Sequence, residues 1–100
     1  MQKDLDIVKS IVLSELENYE AEVYLFGSHA RGTSGRKSDI DVAIIPKEII
    51  PSHVFSIIRE KLEDSIIPYN VDLVDLSTVE DNFRERVIKE GIKWTEQLND

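Results

Sequence analysis

Val23-Tyr24-Leu25-Phe26-Gly27-Ser28 and Ser38-Asp39-Ile40-Asp41-Val42-Ala43-Ile44-Ile45 are the two stretches that decide how this 100-residue chain folds. In the first, four apolar residues run into a glycine, as a buried strand runs into a turn. In the second, two acids spaced by one residue open a run that is apolar on both faces. Residues i and i+2 of a strand share a face, so Asp39 and Asp41 point together. Side-by-side carboxylates repel and call for a cation. Arg36 and Lys37 are near enough to supply it, and so is a bound divalent metal ion.

The Gly27-Ser28 pair suits phosphate. A glycine at a strand end lets the backbone approach a ligand closely, and a following helix N-terminus offers unpaired N–H groups. Ser28 adds a hydroxyl, and Arg31, one turn on, carries a fork matched to phosphate oxygens. A plain turn with a serine cap looks the same locally. The combination with the acid pair is what carries chemistry.

Working outward, Leu5, Val8, Val12, Leu16 and Tyr19 recur at helical spacing, predicting an amphipathic helix over 4–19. Strands are predicted over 22–26, 38–45 and 70–76, with Pro46 stopping the second. Ser28 is expected to cap a short helix, and 32–37, with two glycines, to form a loop. Pro51 suits the first turn of a helix whose face carries Val54, Phe55, Ile57, Ile58, Leu62 and Ile66, and Pro68 ends it. Ser77 or Thr78 is expected to cap a last helix through Glu90, with Phe83, Val87 and Ile88 inward and Gly91 closing it. Ile92-Lys93-Trp94 alternates like a short edge strand. The order αβαβαβα predicts an α/β (α+β) fold, a small mixed sheet flanked by helices, in one domain over 1–100.

A third acid strengthens the metal reading, and Val71-Asp72-Leu73-Val74-Asp75-Leu76 offers two. The second and third strands are joined by one helix, so they should run parallel. Asp39 and Asp41 fall near the start of the second strand, and the partner should fall near the start of the third. Asp72 fits. Asp75 would lie ~10 Å further along at ~3.3 Å per residue, on the opposite face, where it caps the strand end or meets the next helix. Three carboxylates can hold two divalent ions roughly 3.5–4 Å apart, one activating an attacking hydroxyl and one steadying a leaving pyrophosphate. Asp72 is then the candidate general base.

The formal net charge of −8 narrows the partners. The local basic excess is His29, Arg31, Arg36 and Lys37, enough for the phosphates of one nucleotide but not for a polynucleotide track. The acceptor is therefore expected to be a small molecule or a protein. The chain lacks cysteine, and a reducing cytoplasm fits it. Its N-terminus has no signal-peptide pattern, and its longest apolar run, Val42 to Pro46, is far short of the ~20 residues a membrane span needs. Among the remaining conspicuous residues, His29 and His53 read as solvent-facing, Tyr24 as core and Trp94 as a packing or interface anchor. Tyr69 is a candidate border of the nucleotide pocket, while Glu80, Arg84, Glu85 and Lys89 read as a solvated helix face.

Leu25-Phe26-Gly27-Ser28-His29-Ala30-Arg31-Gly32, with Ser38-Asp39-Ile40-Asp41-Val42, resembles the signature of the polymerase-β-type nucleotidyltransferase superfamily, and most closely its minimal nucleotidyltransferase (MNT) branch. Val71 to Leu76 and Arg86-Val87-Ile88-Lys89-Glu90-Gly91 are also similar to that branch, so the resemblance spans nearly the whole chain. It implies Gly27, Ser28, Arg31 and Ser38 at the nucleotide, and Asp39, Asp41 and Asp72 as ligands of magnesium, two ions being expected. It further implies transfer of AMP or another nucleoside monophosphate from a triphosphate such as ATP to a protein hydroxyl. The branch is paired with helical HEPN ribonuclease toxins, so the resemblance implies an antitoxin in a hetero-oligomer, with self-association possible. The alternative is a non-catalytic antitoxin that masks its partner by contact. Three converging acids favour chemistry.

Overall fold

The second strand organises the molecule, because Val42, Ala43 and Ile44 are completely buried and Ile45 nearly so. A strand that is apolar on both faces must have a neighbour on each edge and a layer on each side. In the computed structural model, which describes residues 2–32, 39–77 and 80–95, it has them. The elements are α1 (Gln2–Glu15), β1 (Ala21–Phe26), α2 (Ser28–Arg31), β2 (Ile40–Pro46), α3 (Ser52–Glu63), β3 (Val71–Asp75), α4 (Asp81–Glu90) and β4 (Ile92–Lys93). The sheet order is β3-β2-β1-β4. β2 runs antiparallel to β1 and parallel to β3, and β4 pairs antiparallel with β1. The expected mixed sheet and the parallel crossover through α3 are both present.

One face of the sheet carries Val23, Leu25, Ile40, Val42, Ile44 and Leu73, and it is covered by α1 and α3. α1 contributes Val8 and Val12, one turn apart and both fully buried. α3 contributes Val54, Phe55, Ile58 and Leu62, a single stripe at helical spacing. Lys61 of α3 bridges to Glu15 of α1 at 2.5 Å across the helix pair, a surface contact worth roughly 0.2–1 kcal/mol. Trp94 closes this core at 5% exposure, with its backbone N–H donating to the Val23 carbonyl at 2.7 Å. Its anchoring role is borne out. The other face carries Tyr24, Ala43 and Ile45, packed with Leu76 and with Val87 of α4.

Several sequence expectations fail here for local reasons. α3 ends at Glu63, so Ile66 lies beyond its face and is 85% exposed, and Ile67 takes the buried place. Ile57 sits beside the stripe and is partly exposed. α4 begins at Asp81 with Glu80 in the capping position, several residues after Ser77, and Ile88 turns outward. Thr78 and most of the expected 32–37 loop lie outside the described residues. Arg84 is no free surface cation, since its guanidinium donates to the Leu76 carbonyl at 2.8 Å and to Asp81 at 3.1 Å. That ties α4 to the end of β3. Among the described residues no helix is long and apolar enough to cross a membrane.

Candidate active site

Sheet register decides which side chains meet. Phe26 of β1 pairs with Asp41 of β2, and Asp41 pairs in turn with Asp72 of β3. Directly paired residues share a face, so Phe26, Asp41 and Asp72 form a row across three strands. The row lies where β1 ends and β2 and β3 begin. The next row inward is Tyr24, Ala43 and Val74, which α4 helps to cover through Phe83 and Val87. The acids thus stand at the uncovered end of a face whose interior is apolar. Asp41 is half-buried and Asp72 exposed.

Asp75 pairs with Ile44 on the opposite face, and its carboxylate accepts the Ser77 N–H at 2.9 Å. It caps the strand end, one of the two roles expected for it. Asp39 differs from expectation. β2 starts at Ile40, so Asp39 precedes the strand and is exposed. The Ile40 N–H donates to the Asn70 carbonyl at 2.9 Å, stitching the starts of β2 and β3 together just below it.

Gly27 makes the turn out of β1 with φ 76° and ψ −155°, a conformation that is essentially glycine's alone. A Cβ there would collide with Oδ2 of Asp41 and lie 3.2 Å from its Cγ. The turn backbone is therefore pressed against the Asp41 carboxylate, and only a hydrogen fits between them. Gly27, not Ser28, occupies the capping position of α2, and Ser28 is its first residue. The Ala30 N–H donates to the Gly27 carbonyl at 3.1 Å, and Gly32, at φ 73°, closes α2 onto the Ser28 carbonyl. Arg31 is the last residue of α2. Ser38, Arg36 and Lys37 lie outside the described residues.

The donors fit a divalent cation of the hard class: carboxylate oxygens on paired strands, beside a glycine cradle that a Cβ would fill. Among the described residues no three His, Asp or Glu side chains already converge as a metal cluster. The structure thus brings Asp41 and Asp72 together, with Asp39 at their margin.

His29 departs from its solvent-facing reading. It is 8% exposed, and its ring meets Tyr69 edge-on at 6.3 Å between centroids. The pair braces α2 against the segment leading into β3, and nothing in the sequence pattern marked it. Sequence reasoning also left unassigned a cavity of about 180 Å³ beside Gly27, lined by Phe26, Phe83, Arg86, Val87 and Glu90. Phe26 and Phe83 form its aromatic wall, edge to face at 5.9 Å. The signal was the Arg86–Gly91 stretch, whose cation falls on the turn of α4 that faces the end of β1.

Residues 4–97 match the family described as polymerase beta, nucleotidyltransferase, and the chain belongs to that family. Among individual proteins it is 34% identical over 87 residues to the "Probable protein adenylyltransferase MntA" of Haemophilus influenzae, covering 87% of this chain and 75% of that one. A solved structure of a minimal nucleotidyltransferase superposes with TM-score 0.71 at 28% identity, over 90% of this chain and 92% of that one. A chain from a toxin–antitoxin crystal structure with AMP-PNP superposes with TM-score 0.66 at 28% identity, over 86% of this chain and 71% of that one.

Proposed function

We propose that this chain is a magnesium-dependent nucleotidyltransferase that moves AMP from ATP to a hydroxyl of a partner protein, acting as the antitoxin of a HEPN ribonuclease. The observation that carries the reading is the register pairing of Asp41 with Asp72 beside the strand-end glycine. Like charges on paired positions oppose folding, so an acidic row at this strand end suits a bound cation. The similarity to an adenylyltransferase relative and to an AMP-PNP-bound toxin–antitoxin chain supports the nucleotide and the partner.

In this reading the Gly27 turn admits the triphosphate to the strand end, where a side chain would block it. The Ser28 hydroxyl, the Arg31 guanidinium and Ser38 hold phosphate oxygens. Asp39, Asp41 and Asp72 would hold magnesium, which supplies charge neutralisation on the phosphates and acidifies the acceptor hydroxyl. The acceptor oxygen forms a bond to the α-phosphorus of ATP. The bond from that phosphorus to the bridging oxygen breaks, and pyrophosphate leaves with the electron pair. Asp72, which faces solvent on the edge of the row, takes the hydroxyl proton and passes it to water. The net charge of −8 suits a partner with a cationic RNA-binding cleft.

The test is transfer of label from ATP labelled at the α-phosphate to the partner toxin in the presence of magnesium. Asp41→Asn should lower the rate by roughly 100- to 1,000-fold while leaving the protein folded. If the Asp39→Asn, Asp41→Asn double variant still neutralises the toxin as well as wild type, the antitoxin works by contact and the transfer reading fails.

A further inference from the structure

The cavity beside Gly27 is open on the acid-bearing face of the sheet, between the end of β1 and α4. Three of its features bear on the triphosphate. It touches the glycine turn itself. It has an aromatic and aliphatic wall made by Phe26, Phe83 and Val87. It is flanked by Arg86 and Glu90, one helical turn apart on α4, a spacing at which an Arg–Glu pair commonly closes. Here that pair is not made: among the described residues Arg86 has no hydrogen bond or ion pair. Arg84, two residues earlier, is already committed to Leu76 and Asp81. A cation without a partner among the described residues, beside a backbone turn pressed on a carboxylate, is available to a ligand anion.

We infer that Arg86 is a positioning residue for the nucleotide: its guanidinium reaches over the cavity beside Gly27 to hold oxygens of the triphosphate from the α4 side. This rests on the nucleotide site proposed above and adds a clamp from a different element. A triphosphate entering this end of the fold meets the carboxylates of Asp39, Asp41 and Asp72, so cationic contacts must come from the flanks. Arg86 approaches from α4. A planar fork can take two phosphate oxygens at once, which a lysine ammonium cannot. Glu90, on the same rim, keeps the cavity from retaining simple anions and favours a ligand that arrives with its own counter-cation. The apolar wall lies next to the phosphate path and excludes water from one side of it.

The experiment measures binding of ATP and of adenosine, with magnesium, to wild type and to Arg86→Ala, Arg86→Lys and Lys89→Ala, together with KM and kcat for transfer to the partner toxin. Lys89 lies on the same helix away from the cavity, so its variant controls for loss of one positive charge. Expected is an ATP affinity about tenfold or more weaker in Arg86→Ala, partial recovery in Arg86→Lys, and little change in Lys89→Ala. Adenosine binding should not respond to Arg86, and the loss in transfer should fall mainly on the KM for ATP. If wild type binds and uses ATP and Arg86→Ala does so equally well, the clamp is wrong and the transferase reading stands. An effect confined to the KM for the toxin would assign the cavity to the acceptor and overturn the inference. If wild type itself neither binds nor uses ATP, both readings fall together.

Discussion

Replacing Gly27 by alanine isolates the contact on which the site's geometry depends. Two costs add. The backbone at φ 76°, ψ −155° lies in a region that side chains avoid, at about 1–3 kcal/mol. The new methyl would also overlap Oδ2 of Asp41 and stand 3.2 Å from Cγ and 3.4 Å from Cβ. Either the turn or the Asp41 side chain must yield. For a chain of this size each kcal/mol lowers Tm by roughly 4–8 °C, so thermal unfolding followed by circular dichroism should show a drop of several degrees. A misplacement of about 1 Å at a reacting centre can cost on the order of 100-fold, and labelled-AMP transfer should fall by that order. Gly32→Ala is the internal control. Its φ of 73° is also left-handed, but among the described residues nothing lies within 4 Å of an added Cβ. It should lose about 1–2 kcal/mol of stability and keep transfer within about threefold per folded molecule. Equal activity loss in the two variants would show that strain in the turn, not the collision with Asp41, is what matters. Unchanged activity in Gly27→Ala would remove the turn from the site.

Other perturbations separate neighbouring roles. Asp72→Asn should abolish most transfer while leaving urea stability unchanged or raised by up to about 0.5 kcal/mol, because a like-charge neighbour of Asp41 is removed at an exposed position. Asp75→Ala should do the reverse, losing about 0.5–1.5 kcal/mol with the Ser77 N–H bond and keeping transfer; a matching activity loss in both would undo the assignment of Asp72 over Asp75. Gly91→Ala should be destabilised by about 1–3 kcal/mol through overpacking, since its Cβ would sit 2.6 Å from the Val87 carbonyl and 2.9 Å from that of Leu25. An unfolding midpoint equal to wild type would mean that the α4–β4 corner is looser than the structure has it.

What the sequence disclosed was mostly what periodicity and topology govern. Val42 to Ile45, apolar on both faces, marked β2 as the central strand, and one helix between β2 and β3 required them to run parallel. From those two facts Asp72 and not Asp75 had to stand beside Asp41, and it does. The losses came where tertiary contacts override local pattern. Asp39 shares the alternation of Asp41, but the ladder starts at Ile40, where the Asn70 carbonyl first offers a partner. His29 follows a polar motif residue and yet is buried, because a four-residue helix turns it toward Tyr69. Ile66 and Ile88 carry the composition of core residues but fall just past a helix end and on an outward turn. Arg86 could not be singled out from Arg84 by spacing, since only the fold shows that Arg84 is spent on Leu76 and Asp81.

The two acids of the row are mounted on unequal supports. Asp41 stands on a strand laced to neighbours on both edges, whereas Asp72 stands on β3, which lies at the margin of the described sheet. Amide protons around Asp41 should therefore exchange with solvent only on global opening, and those around Asp72 through smaller, more frequent excursions. If the two acids hold a substrate as proposed, one jaw of the vice is fixed and the other gives, so the ligand is gripped without disturbing the interior.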